Sequence, residues 1–211
     1  MSPAQVVQHY LDQVQPRKQG EMGFYASRPT LHDAIQTAAR AVGADGKRHP
    51  HQYRITRAAL SAVEGALIQL DYAGMESFDA LFEAVRQALS PIKGIGELMI
   101  YDTVHRLGAF LHLQPEHVYL HAGVRVGAKA LGLGKGKDKL AMTELPRPFQ
   151  KLEPAEVEDC LCIYKAQLAA WAGIPAYRAK TVRHIYRRAA WVRDARRVRT
   201  ADEEQADLGV P

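Results

Sequence analysis

Two polar side chains that stand among apolar neighbours, His121 and Asp102, are the candidates for chemistry in this sequence. A histidine titrates near neutral pH and can act as a general acid or base; the alternative for His121 is local packing or capping. An aspartate is a poor residue for a helix interior. Asp102 therefore either pairs with Arg106 one turn away or faces a cleft as a site carboxylate. We take His121 and Asp102 as candidate catalytic residues.

Residue types that bind metals or phosphates do not form a recognisable cofactor site. A histidine-rich span, interrupted by a proline, contains His105, His112, His117 and His121. Structural zinc sites need closely and regularly spaced ligands, and the sequence adds only two cysteines, Cys160 and Cys162. The glycine- and lysine-rich segment 133–139 lacks the spacing and the preceding strand of a P-loop. We therefore expect no metal ion and no cofactor.

The segment Ile92-Lys93-Gly94-Ile95-Gly96 is the clearest candidate for binding. Glycine permits positive φ and close approach of another backbone, and amides at the start of the following helix can bind phosphate oxygens. Lys93 adds a full positive charge, while Ile92 and Ile95 would anchor the turn in the core. None of these contacts reads a base edge, so we expect sequence-independent binding to a nucleic-acid backbone. The alternative is a tight turn between two helices, with glycine at the C-cap.

Basic residues in two further regions extend the predicted binding surface. The helix and the glycine-rich loop that follow His121 contribute Arg125, Lys129, Lys135 and Lys137. Between Pro175 and Arg199 there are nine basic residues against one acidic residue, Asp194. Most of them are arginine, which can bind a phosphate through two hydrogen bonds. The alternatives are a solvated loop and a solvated helix face, and the net charge of +5 permits either interpretation.

The hairpin and the segment after it resemble the helix-hairpin-helix element of the base-excision DNA glycosylase superfamily. The family's hairpin is usually Leu-Pro-Gly-Ile/Val-Gly followed by an apolar helix, and residues 92–96 are similar to it. The apolar positions that follow here are Leu98, Ile100, Val104 and Leu107. The family's Val-Asp-Thr-His-Val-x-Arg-Val stretch, ending in Leu-Gly-Leu, is similar to residues 120–126 and 131–133, with matching spacing. The resemblance covers roughly residues 77–133 and implies an all-α, DNA-glycosylase-like helical bundle that binds DNA.

Two positions depart from what the resemblance implies about chemistry. In the family, an aspartate in the second stretch assists attack at the sugar, and His121 stands at that position. In lyase-type members, a lysine two residues after the last hairpin glycine forms a Schiff base; here this residue is Leu98, which cannot. The four-cysteine cluster of some members is impossible with two cysteines. The resemblance therefore implies a DNA-binding scaffold without the usual catalytic pair.

Capping residues and apolar periodicity predict the helices that would position these residues. Helix starts are marked by Ser2, Thr30, Thr56, Ser77 and Glu153. The hairpin would join a helix that ends at Leu89 to one that runs from Glu97 to about Leu111. Residues 15–29, rich in proline, glycine and charge, are predicted to be a loop, and the helix after Glu153 is predicted to run to about Trp171.

Helix order is compatible with two sub-domains. Residues 56–133 would form a central one that contains the hairpin, and residues 1–55 together with 134–200 would form the other. A flexible acidic tail is expected at 201–211, because four acidic residues lie there against no basic residue.

Bulk composition limits the class of protein. The sequence is 47% hydrophobic and 24% charged, which is typical of a folded globular protein. We see no basic start followed by an apolar run, and no apolar stretch of the ~18 residues that a membrane span needs. Cys160 and Cys162 are too close in sequence for an unstrained disulfide. We therefore expect a cytoplasmic protein with no signal peptide and no membrane partner.

These observations leave three hypotheses for function. The first is a nucleic-acid-binding helix-hairpin-helix protein that holds the backbone of double-stranded DNA. The second is a diverged DNA glycosylase, or a related DNA-processing enzyme, that uses His121 or Asp102. The third is a helical protein-interaction module in which the hairpin only shapes a turn.

Overall fold

The computed structural model describes residues 1–174, and most of them lie in helices. The helices are α1 (Pro3–Gln13), α2 (Gln15–Ala26), α3 (Leu31–Arg40), α4 (Arg57–Ile68), α5 (Phe78–Leu89), α6 (Glu97–Leu111), α7 (Ala122–Ala130), α8 (Pro154–Ile163) and α9 (Lys165–Trp171). Two short strands, β1 (Val118–Tyr119) and β2 (Lys139–Leu140), pair antiparallel. The mostly helical structure expected from the sequence is confirmed for this part of the chain.

Two predictions fall outside residues 1–174. They are the basic segment after Pro175 and the acidic tail at 201–211. Within the described range, no helix combines the length and the apolar character that crossing a bilayer requires.

The predicted helix starts are confirmed by side-chain caps. The side chains of Ser2, Thr30, Thr56 and Ser77 each accept a hydrogen bond from the backbone amide three residues later. Such a bond satisfies one of the amides that a helix start leaves free, so the signal is local and can be recognised in the sequence. The end of α5 at Leu89 and the bounds of α6 are also as predicted.

The prediction of a loop over residues 15–29 is wrong, because α2 occupies most of that segment. Pro16 lies in the first turn, where its missing N–H is not needed, and the two glycines of α2 are exposed. Tyr25 is fully buried, and the guanidinium of Arg106 in α6 lies 5.5 Å from its ring. Packing of α2 against α6 outweighs the weak helix propensity of the segment.

The helix predicted from Glu153 to Trp171 is interrupted. Tyr164 separates α8 from α9, and its backbone (φ −97°, ψ 16°) leaves the helical range. The Tyr164 ring is buried and its hydroxyl lies 2.8 Å from Nδ1 of His9 in α1. A tertiary contact therefore accompanies a break that periodicity did not indicate.

Buried apolar side chains form two clusters. One cluster joins α3, α4, α5 and α6, and the other joins α1, α7, α8 and α9. Strand β1 touches both, because Val118 and Leu120 belong to the α1/α7–α9 cluster and Tyr119 to the α3–α6 cluster, as the alternation of side chains along a strand requires. The sub-domain boundaries at residues 56 and 133 stay a prediction.

Helices α7 and α8 approach closely because α7 carries glycine at the contact. A β-carbon at Gly127 would collide with the backbone of Leu161, and one at Gly123 would lie 2.7 Å from Sγ of Cys162. This close packing brings the start of α7, where His121 is the N-cap residue, next to Glu158 of α8.

Candidate active site

A cavity of about 810 Å³ borders the hairpin. Ser90 and Glu97, which flank residues 92–96 on either side, both lie in its wall. Helices α5 and α6 form one side of the cavity, and the segment from Tyr119 to His121 with Arg125 of α7 forms another. Small-molecule sites occupy about 300–1,000 Å³, so this volume is in the range of a ligand site.

Aromatic rings line the inner part of this cavity. The Phe82 and Tyr119 rings have centroids 4.4 Å apart, and the centroid of Tyr101 lies 5.7 Å from that of Tyr119. The His121 ring follows at 5.5 Å from Tyr101. These four side chains form the aromatic wall, and such a wall can stack against a planar ring.

His121 lies in the aromatic wall and forms a buried pair with Glu158. Its Nε2 atom hydrogen-bonds to the Glu158 carboxylate, and only 4% of His121 and 6% of Glu158 are exposed. The side chain does not cap α7, so the capping alternative considered from the sequence does not apply. Burial opposes a charged imidazole, but the hydrogen bond and charge of Glu158 outweigh it and raise the pKa of His121 above its ordinary 6.5.

The position of the proton in this pair determines what the other ring nitrogen does. Burial raises the pKa of Glu158 as well, so the pair holds its one titratable proton strongly. If that proton lies on Nε2, the ring is an imidazolium and Nδ1 carries a hydrogen. If it lies on the carboxyl group, Nε2 accepts and the neutral ring again carries its hydrogen on Nδ1. The protonated pair thus presents an Nδ1–H donor in both arrangements.

Two polar atoms of the aromatic wall have no hydrogen-bond partner. Among residues 1–174, the buried side-chain atoms without one include the Tyr101 hydroxyl and Nδ1 of His121. Tyr101 is 2% exposed. Buried polar groups in folded proteins are almost always paired, because an unpaired one costs free energy. Both atoms belong to residues that line the cavity.

The other side of the cavity carries an anchored carboxylate. Asp79 accepts hydrogen bonds from the Tyr119 hydroxyl and, at 2.6 Å, from Nζ of Lys139. Partial burial of Asp79 opposes its ionisation, but these two hydrogen bonds outweigh it and lower the pKa of the carboxyl group. Asp79 is therefore an ionised group whose charge is balanced by Lys139.

Asp102 is not among the residues that line the cavity. Its Oδ2 atom lies 2.7 Å from Nε2 of His51, 2.8 Å from Nε2 of Gln52 and 3.6 Å from the Arg106 guanidinium. Burial opposes its charge, but the hydrogen bond from His51 and the charges of Arg106 and His51 outweigh it and lower the pKa of Asp102. The pairing with Arg106 considered from the sequence is present, and a catalytic role for Asp102 stays a prediction.

The hairpin has the geometry of an open backbone turn. Ile92 and Ile95 pack against the α3–α6 cluster, and Lys93 is exposed. Gly94 has φ +92°, which favours glycine, whereas Gly96 caps α6 with φ −116° and ψ 175°, which any residue can adopt. No group of residues 1–174 accepts a hydrogen bond from the amides of Gly94 and Gly96. A β-carbon at either glycine would meet no atom within 4 Å.

The predicted phosphate-binding side chains fall into two groups. Lys93, Lys129 and Lys135 are exposed, and none pairs with an acidic group of residues 1–174. Arg125 lies 2.9 Å from Asp138 and 3.8 Å from Glu97, and Lys137 pairs with Glu144. A phosphate would have to compete with these carboxylates for the second group.

Sequence reasoning missed several residues of the cavity wall and the partner of His121. Glu158 stands between Val157 and Cys160 on the buried side of α8, so a carboxylate in an apolar stretch was the available signal. Tyr101 and Tyr119 resemble ordinary core residues in the sequence. Nothing local distinguishes them, because the cavity is formed by elements far apart in the chain.

Comparison of the chain with known protein families, with curated proteins and with solved structures finds no match. Within residues 1–174, no three histidine, cysteine or carboxylate side chains converge in a way that could hold a metal ion.

Proposed function

We propose that the protein binds double-stranded DNA through the hairpin backbone and holds a base, extruded from the duplex, in the adjoining cavity. The observation that carries the proposal is the shared border of the two features, since Ser90 and Glu97 both flank the hairpin and line the cavity. A protein that extrudes a base must hold the phosphate backbone beside the pocket that receives the base.

The hairpin supports the first half of the proposal through Gly96. Neither its φ nor packing within residues 1–174 requires glycine there. The position is explained if another backbone approaches closely, because a side chain would stand between the free amides and a phosphate oxygen. Lys93 contributes a positive charge at the same turn. These contacts reach the backbone and not the base edges, so affinity is largely independent of sequence.

The test of backbone binding is a salt titration with two glycine variants. Affinity for a duplex, measured by fluorescence anisotropy, falls steeply as salt rises if several phosphates are neutralised. Gly96→Val weakens binding to all sequences alike and leaves the fold intact. Gly74→Val is the matched control, because Gly74 also has an ordinary φ and open space around it. Gly94 is a poorer target, since its positive φ would add strain to any loss of binding.

Two results would reject this proposal. Absence of duplex binding at low salt would favour the third hypothesis, a protein-interaction module. Equal affinity of wild type and Gly96→Val would assign the hairpin a structural role only.

The second candidate function is cleavage of the glycosidic bond of the extruded base. It is favoured by the His121–Glu158 pair, which places a titratable group in the wall of a base-sized cavity. A histidine so placed can protonate a leaving base or take a proton from an attacking water. His121 stands where the resemblance puts the family's aspartate, so the position is retained and the chemical group is different.

Base release separates this enzyme from a pure binder. Duplexes that carry deaminated, alkylated or abasic sites are incubated with wild type, His121→Ala and Asp102→Asn. Release that is lost in His121→Ala and retained in Asp102→Asn supports the cavity as the reaction site. His32→Ala is the control, because His32 is exposed and distant in sequence. Absence of release from every duplex leaves backbone binding as the function.

A further inference from the structure

We infer that the cavity selects a 6-oxopurine, the guanine type of base, through the hydroxyl of Tyr101 and Nδ1 of His121. This inference rests on the proposed function, since it names the base that the cavity would hold. It depends on the two unpartnered wall atoms and not on the hairpin.

The unpartnered atoms indicate that the inner wall is built to meet a polar ligand. Tyr101 is 2% and His121 4% exposed, and both residues line the cavity. Nothing in residues 1–174 hydrogen-bonds to the Tyr101 hydroxyl or to Nδ1 of His121. Their rings have centroids 5.5 Å apart, so one planar ligand can reach both atoms.

Both atoms act as donors toward that ligand. Burial, with the negative charges of Glu158, Asp159 and Asp102 nearby, raises the pKa of Tyr101 well above 10, so its hydroxyl keeps its hydrogen. Nδ1 of His121 carries a hydrogen wherever the proton shared with Glu158 lies. The ligand edge facing this wall must therefore supply two acceptors.

Among the four bases, only guanine meets this requirement on its O6/N7 edge. O6 and N7 both accept, whereas adenine presents a donor at N6, cytosine a donor at N4, and thymine a single acceptor beside a methyl group. Hypoxanthine keeps O6 and N7 and belongs to the same class. Phe82 and Tyr119 provide the aromatic surface on which a purine ring would stack.

The experiment measures affinity for duplexes that differ only in one easily extruded base. Each duplex places the test base opposite an abasic-site analogue, and a 2′-fluorine on its sugar protects the glycosidic bond. The test bases are guanine, hypoxanthine, 7-deazaguanine, adenine, cytosine and uracil, and the reference strand carries no base at that position. Fluorescence anisotropy with the full chain gives the dissociation constants.

We expect guanine and hypoxanthine to bind about tenfold more tightly than the baseless reference or the other natural bases, as two good hydrogen bonds to a base edge provide. The 7-deazaguanine duplex, which lacks the N7 acceptor, loses most of that gain. Tyr101→Phe brings the ratio of guanine to adenine affinity close to one. Tyr53→Phe leaves the ratio unchanged, because Tyr53 is exposed and outside the cavity wall.

Each other outcome rejects a defined part. If all duplexes bind as tightly as the baseless reference, the base selection is wrong and backbone binding stands. If adenine or a pyrimidine is preferred, the cavity holds a base but the donor pair is wrong. If no duplex binds at low salt, the proposed function fails and the inference fails with it.

Discussion

The hydroxyl of Tyr101 is retained at a cost in stability. It is buried, and no group of residues 1–174 accepts its hydrogen bond. Folding therefore removes it from water without compensation, which costs about 1–3 kcal/mol for such a group. A side chain needed only to fill space there would be phenylalanine.

We therefore predict that Tyr101→Phe raises the free energy of unfolding by about 1 kcal/mol. Urea unfolding followed by circular dichroism measures it, with Tyr53→Phe as the exposed control. A clear loss of stability in Tyr101→Phe would contradict the prediction, because it would mean that the hydroxyl is satisfied inside the folded protein.

Asp102 has its strongest contacts away from the cavity, and we predict that it serves as the counter-charge of buried Arg106. Arg106 is 3% exposed and lies 3.6 Å from the Asp102 carboxylate. Asp102→Asn leaves that guanidinium without a charge partner, so the free energy of unfolding falls by about 2 kcal/mol, less than for a fully buried pair.

The matched control for this measurement is Glu83→Gln, which breaks an exposed pair with Arg86. We expect no measurable change there, since exposed ion pairs contribute little. If Asp102→Asn unfolds like wild type but abolishes base release, Asp102 is a catalytic residue, and the structural assignment is wrong.

At the scale of helices and strands, local signals explain which predictions were correct. Side-chain caps at Thr56 and Ser77 are encoded within four residues, so α4 and α5 could be located from the sequence. Helix α2 could not, because its stability comes from the burial of Tyr25 against α6, a contact between distant residues. For the same reason His121 could be singled out as a candidate while Glu158, 37 residues later, could not be paired with it.

Two helical glycines illustrate how helix contacts set tolerance to a methyl group. Gly127 of α7 packs directly on the backbone of Leu161 in α8, whereas a β-carbon added at Gly65 of α4 would meet no atom within 4 Å. We predict that Gly127→Ala lowers the free energy of unfolding by about 2 kcal/mol through overpacking. Gly65→Ala raises it by about 0.5–1 kcal/mol through helix propensity.

Thermal and urea unfolding of the two variants test this pair. Because Gly127 supports the approach of α7 to α8, its variant also shifts His121 relative to Glu158, and the histidine ring resonances should move in an NMR spectrum. Stabilisation by both substitutions would mean that α7 and α8 do not pack backbone to backbone at Gly127.

For the whole molecule, buried histidines set how stability depends on pH. Burial, together with the charge of Arg106, lowers the pKa of His49 to about 3, so the folded protein keeps this ring neutral. The unfolded chain binds a proton near pH 6.5, and stability is lost as the pH falls below that value. His121 acts in the opposite sense: its raised pKa gives stability that is complete below 6.5 and is lost as the pH rises through the folded value.

We predict that stability is highest near pH 6.5 and falls on both sides. Between pH 6.5 and 5, above the range of most carboxyl groups, His49 alone accounts for a loss of about 1.5 kcal/mol. His105, whose pKa burial also lowers, adds to the loss. Urea unfolding at half-unit pH steps measures the slope, and His49→Gln reduces it. A slope that is the same in His49→Gln and wild type would show that His49 is protonated in the folded state.

Helix α6 joins a buried core segment to an exposed first turn. Nine of its fifteen residues are buried, yet its first two, Glu97 and Leu98, are not. In a saturation-mutagenesis experiment read out for abundance and for binding, substitutions at Val104 and Leu107 should reduce both scores together. Substitutions at Gly96 and Glu97 should reduce binding at unchanged abundance, so one helix would separate the two phenotypes from its first turn to its last.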